Sequence, residues 1–187
     1  GSVKDLAGLL SDKGDYVGAE PLFRRAMEAN EHLLGPEHPD TLPSVNNLAV
    51  LLSNKGDYAG AEPLFRRAME ASERVLGPEH PNTLGSVNNL AGLLSDKGDY
   101  VGAEPLYRRA LEASERVLGP EHSDTLRSVT NLALLLSRRG DYAGAEPLCR
   151  RALEASERLL GPDHPSTLLI VNSLAELLSR KDDYAGA

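Results

Sequence analysis

Four arginine pairs, four evenly spaced histidines and one cysteine are the side chains here whose types could do chemistry. Arg24-Arg25, Arg66-Arg67, Arg108-Arg109 and Arg150-Arg151 would suit phosphate; His38, His80, His122 and His164 would suit a metal ion; Cys149 would suit nucleophilic attack. The spacing argues against each. Glu62 stands four residues before Arg66, Glu70 four after it and Arg74 four after that, the pattern of a solvated helix laced with ion pairs. The formal charge of −8 also argues against a nucleic acid or an anionic membrane as partner. The histidines recur once per repeat, so equivalent atoms should lie ~15–20 Å apart if each repeat is a helix pair, too far to share an ion. They are predicted instead to close loops by hydrogen-bonding a helix end, with no metal site. Cys149 occupies the place of Phe23, Phe65 and Tyr107, which predicts a small core residue. A lone cysteine excludes an internal disulfide framework and fits a reducing, cytoplasmic setting. No nucleophile beside a base, phosphate loop or carboxylate dyad is recognisable, so neither an enzyme nor a cofactor is expected.

The elements that must position these residues follow from a period of 42 residues. Glu62 to Gly77 returns at 104 to 119 with only Tyr107 and Leu111 changed, and Leu6, Leu48, Leu90, Leu132 and Leu174 mark the register. Such a period predicts an array in which each unit leaves an apolar face for its neighbour to cover. Residues 1–187 are thus expected to form a single array with units at about 1–39, 40–81, 82–123, 124–165 and 166–187. The last unit is truncated, which reads as part of a longer array. No linker interrupts it, and no apolar run approaches the length of a membrane span.

Each unit reads as two helices. Leu42, Val45, Leu48, Ala49 and Leu52 recur at spacings of three and four, placing them on one face of a first helix, A. Asp40, Asn82, Asp124 and Ser166 are its predicted N-caps, and Gly14, Gly56, Gly98 and Gly140 its predicted stops. Helix B should run from Tyr58 to about Leu76, burying Ala61, Leu64, Phe65, Ala68, Met69 and Leu76. Pro63 is expected in or near its first turn, where no amide hydrogen is needed. Gly77-Pro78 closes it. Asp182 replaces the stop glycine in the last unit, so a costly left-handed residue and fraying are expected there.

Asn47-Leu48-Ala49, Gly56-Asp57-Tyr58 and Ala61-x3-Phe65-x2-Ala68 together resemble the tetratricopeptide (TPR) repeat. Asn46-Asn47-Leu48-Ala49, Ala61 through Ala68 and Leu76-Gly77-Pro78-Glu79-His80-Pro81 are similar to the 42-residue repeats of the kinesin light chain class, over the whole chain. The resemblance implies an all-α, right-handed superhelical solenoid of antiparallel helix pairs, about four full repeats plus one extra helix A. Helix A would line the concave side, and the array would serve as a protein- or peptide-binding scaffold. The two-carboxylate clamp of some chaperone-binding TPRs is not reproduced.

Comparison of the copies points to the same face independently. The position of Val50 reads Gly8, Val50, Gly92, Leu134, Glu176, and that of Pro43 reads Gly1, Pro43, Gly85, Arg127, Leu169, while helix B hardly changes. Asn46, Asn88 and Asn172, with Asn47, Asn89 and Asn131, could form an amide ladder for an extended peptide, or could bridge neighbouring helices. Asn54 lies one turn beyond Val50 on the same helix. Asp5, Asp12 and Asp96 early in the chain and Arg127, Arg138 and Arg180 late would favour a partner acidic at one end, as light-chain grooves do. The expected ligand face is therefore Asn46, Asn47, Val50, Asn54, Asn88, Asn89, Arg127, Asn131, Leu134, Arg138, Asn172 and Arg180. The alternative is a structural spacer, or an array associating end to end through apolar faces.

Overall fold

In the computed structural model the backbone is described for residues 3–185 and the side chains for residues 6–180. Among the described residues every regular element is a helix. Residues 1–97 form one compact unit, containing α1 (Val3–Asp12), α2 (Tyr16–Leu34), α3 (Leu42–Asn54), α4 (Tyr58–Leu76) and α5 (Pro81–Asp96). Residues 98–187 form the second, containing α6 (Tyr100–Leu118), α7 (Ser123–Arg138), α8 (Tyr142–Leu160) and α9 (Pro165–Ala185). Odd-numbered helices are the A helices and even-numbered ones the B helices.

The apolar periodicity explains the packing within each unit. Leu42, Val45, Leu48, Ala49 and Leu52 of α3 are all buried, and Leu51 joins them, so the sealed face is wider than a single stripe. Helix α3 packs on α4 and α4 on α5; α7 packs on α8 and α8 on α9. On the B helices the buried line is Ala61, Phe65, Ala68, Ala71 and Ser72 in α4 and Ala145, Cys149, Ala152, Ala155 and Ser156 in α8. Leu64, Met69 and Leu76, expected in that line, are only partly covered.

Three local expectations need correction. The row Asp40, Asn82, Asp124 and Ser166 does not cap helix A; the histidines do. His80 Nδ1 accepts from the Asn82 backbone N–H at 3.1 Å, and His122 from Asp124 and His164 from Ser166 at 3.2 Å. In α3, which starts later, His38 accepts from Asp40 in the same way, also at 3.2 Å. The imidazole reaches the N-terminal donor two residues on, as an Asx side chain would. This is the loop-closing role that the spacing predicts. Second, Pro63 lies in the second turn of α4, not the first. Its missing N–H leaves a carbonyl without an intrahelical donor at Ala59, an exposed residue where water can hydrate it. Third, no described residue other than glycine has positive φ, and α9 continues helically through Asp182. Without a glycine the right-handed continuation is cheaper than a left-handed stop. Gly56, by contrast, ends its A helix at φ 85° as predicted.

Candidate functional site

The B helices are committed to holding the repeats together. Glu62 receives Arg66 from its own helix at 2.8 Å and Lys97 from the next repeat at 2.5 Å. Glu20 receives Arg24 and Lys55 in the same way, each at 2.8 Å. Glu104 repeats the arrangement in the second unit with Arg108 and Arg139. The lysine hydrogen bond, then the arginine one, holds the carboxyls of Glu20 and Glu62 below the usual range. Arg67 and Arg151, the second arginines of their pairs, reach backwards. Arg67 binds Glu31 at 2.6 Å and the Pro36 carbonyl at 3.2 Å, and Arg151 binds Glu115 and the Pro120 carbonyl. Arg74 goes to Glu37 of the preceding repeat at 2.5 Å, not to the Glu70 suggested by helix spacing. Arg24, Arg66, Arg67, Arg108, Arg150 and Arg151 are thus engaged by carboxylates, Arg67 and Arg151 by loop carbonyls as well. Buried Thr41 and Thr125 add ties, donating to the carbonyls of helix-closing Gly35 and Gly119 at 2.9 and 2.8 Å.

The A helices carry the residues left over. In the first unit Asn46 is half-buried and its amide donates to Ser86 Oγ at 2.9 Å, clasping α3 to α5. Asn88 is buried, at 5 % exposure. Asn47 and Val50 line a shallow cleft with Gly8, Asp12 and Phe23, and Asn54 and Asn89 are exposed. Asp5 lies outside the described side chains.

In the second unit Leu134, Arg138 and Arg180 come together around a cleft of about 300 Å³ between α7 and α9, floored by Cys149 and Ala152 of α8. Glu176 stands beside Arg180 at 2.6 Å. An adjoining cleft of about 470 Å³, mostly apolar, includes Arg127 and Asn131. The two share Thr130, Ala152 and Ile170, so they form one continuous groove. Arg127 is exposed and paired with Asp124 at 3.0 Å; Asn172 is exposed and lines neither cleft. Cys149 is a free, buried thiol, and burial pushes its pKa up, which disfavours the thiolate. This groove offers apolar contact and cationic ends, with no base set against a nucleophile. The sequence reading missed Ile170 as a lining residue. Its signal was present: Ser44, Ser86 and Ser128 stand at that position in other copies, all buried.

Comparison with known proteins agrees with this arrangement. The chain aligns over 98 % of its length, and 73 % of the other chain, with BtubC (BKLC) from P. vanneervenii, at 25 % identity and a TM-score of 0.83. It aligns over 97 % of its length with a Podosopora anserina protein assigned to the kinesin light chains, with nearly identical TPR-like repeats, at 24 % identity, 85 % coverage of that chain and a TM-score of 0.83. A Rap protein complexed with Competence and Sporulation Factor shares the fold at 15 % identity and a TM-score of 0.76, over 97 % of this chain and 48 % of that one. No curated protein matches the sequence significantly. The tetratricopeptide repeat pattern matches residues 5–40, 41–82, 83–124 and 125–166 in succession. With helix pairs of that period and four consecutive matches along most of its length, the chain belongs to the tetratricopeptide repeat family.

Proposed function

We propose that this chain is a non-catalytic scaffold that recruits a protein or an extended peptide segment along its A helices, residues 1–187 acting as a single array. TPR repeats typically mediate protein–protein interaction, and the Rap relative, at the level of fold, was solved with Competence and Sporulation Factor. The observation that carries the reading is a division of labour. B-helix charges are used between repeats, whereas the positions that differ from copy to copy, such as Val50 and Leu134, are outward on A helices. Asn47, Val50, Asn54, Asn89, Arg127, Asn131, Leu134, Arg138, Asn172 and Arg180 are the proposed contacts. Asn46 and Asn88 act behind them as positioning residues. The three arginines favour an acidic segment at that end, and the single thiol supports a cytoplasmic setting. No helix among the described residues is long and apolar enough to cross a membrane.

The test is a peptide-library screen against wild type and the Asn47/Asn89/Asn131→Ala triple variant. Selected peptides should bind the variant about tenfold or more weakly, with helicity unchanged; equal binding to both proteins would remove the amides from the site. A second reading, association between copies, rests on exposed Leu6 and Leu9 of α1 and Leu168, Leu169 and Val171 of α9.

A further inference from the structure

Arg67 and Arg151 tie their B helices to the preceding repeat, at Glu31 and Glu115. The same tie is half present in the first and last B helices. Arg25 of α2 stands at the position of Arg67, and Glu157 of α8 at the position of Glu31 and Glu115. Among the described residues neither side chain has a hydrogen bond or an ion pair. His32 and Asp163 are a second unmatched couple, at the positions of Arg74 and Glu37, which bind at 2.5 Å. Apolar edges are unmatched in the same sense. Helix α9 packs on α8 and buries Leu174 and Leu177, while Val171 is 39 % exposed and Ala175 is exposed too. Helix α1 packs on α2 and buries Ala7, while Leu6 and Leu9 are 51 % and 59 % exposed. In α3, held between α2 and α4, and in α7, held between α6 and α8, all four of these positions are buried. The open edge of α9 is therefore the one that takes a B helix following it.

We infer that a second copy of this chain supplies that B helix by exchange: α9 of one copy takes the place of α1 on α2 of the next, and Arg25 of the second copy meets Glu157 of the first. The inference rests on the reading of association between copies and specifies its seam. Helix α2 can accept either occupant, because α9 carries Leu174, Ala175, Leu177 and Leu178 where α1 carries Leu6, Ala7, Leu9 and Leu10. Helix α1 holds α2 less completely. It has 10 residues against 16 in α7, and Leu33 at the end of α2 is 75 % exposed where Val75 and Val117 are 43 % and 46 %. The exchange covers Val171 and Leu168 of α9 and joins opposite charges that are unmatched in the single copy. A direct contact of α1 on α9 is the competing arrangement. It would set two A helices between α8 and α2, keeping Glu157 and Arg25 apart, and would fit neither apolar edge to the B helix it is spaced for. The exchanged seam joins two different faces, so copies add in one direction instead of closing as a symmetric dimer.

The experiment is sedimentation velocity of the full chain over a wide concentration range, with substitutions confined to the exposed residues Arg25, Glu157, Val171 and Leu9. Wild type should associate as concentration rises. Arg25→Glu and Glu157→Arg should each weaken association about threefold or more, and the two together should restore it, since the swapped charges again attract. Val171→Glu should weaken it at least about tenfold, because the exchange buries that side chain. Leu9→Glu should leave it unchanged, because α1 is displaced from the seam, whereas a direct contact of α1 on α9 would lose affinity. Weakening by Leu9→Glu, or a double charge reversal no better than the single ones, overturns the exchange and leaves association between copies standing. A constant monomer value for wild type overturns both.

Discussion

One residue of the B-helix cap illustrates why the repeat is so constant. Asp57 Oδ1 accepts from the Gly60 N–H at 2.9 Å, and a Cβ on Gly60 would lie 2.6 Å from Asp57 Oδ2. The same clash recurs at Gly18, Gly102 and Gly144, so the glycine is kept for the carboxylate and not for its backbone freedom. Gly60→Ala should gain about 1 kcal/mol of helix propensity and lose a cap worth about 0.5–2 kcal/mol, leaving a small net change. In an Asp57→Ala background the same substitution should stabilise by about 1 kcal/mol. Urea denaturation of the four-protein cycle measures the coupling. Additive effects would show that the ring of contacts around the cap is not what holds the glycine.

At the scale of the element, the A and B helices are joined more by charge than intrahelical spacing suggests. The Glu62 carboxyl is depressed mainly by Lys97, so the stability it contributes is present above the ordinary carboxylate range and lost as pH falls through the lowered value. Both side chains are partly exposed, and solvent limits the pair to about 0.2–1 kcal/mol. Lys97→Met should therefore cost a fraction of a kcal/mol near neutral pH, and that cost should fade as the pH falls through the lowered Glu62 value and the carboxyl becomes protonated in both proteins. Thermal melts across that range are the measurement. A difference that persists in acid would mean that the lysine stem acts by packing. The helices themselves were largely legible from sequence: α4 has the predicted bounds of Tyr58 and Leu76. The start of helix A was not, because an imidazole is not an obvious cap, and Asp40, Asn82, Asp124 and Ser166 looked better than the histidines two residues before them.

For the whole molecule, the repeat leaves apolar side chains exposed on α1 and α9, and any pairing of copies through them would depend on concentration. Sedimentation velocity over a hundredfold range should show a sedimentation coefficient that rises with concentration if copies pair through these faces; a constant monomer value would discard that reading. The fold class, the repeat register and the division between a constant helix and a varying one were determined by the sequence alone, because 42-residue self-similarity compares the chain with itself. Which varying residues form a site was not. Asn46 and Asn47 are adjacent in sequence, yet one clasps Ser86 and the other lines a cleft. Thr130, Cys149 and Ile170 lie on three different helices, and only tertiary packing brings their separate departures from the repeat into one groove. A periodic pattern records what each copy shares; the space opened where several copies differ depends on which side chains face each other across helices.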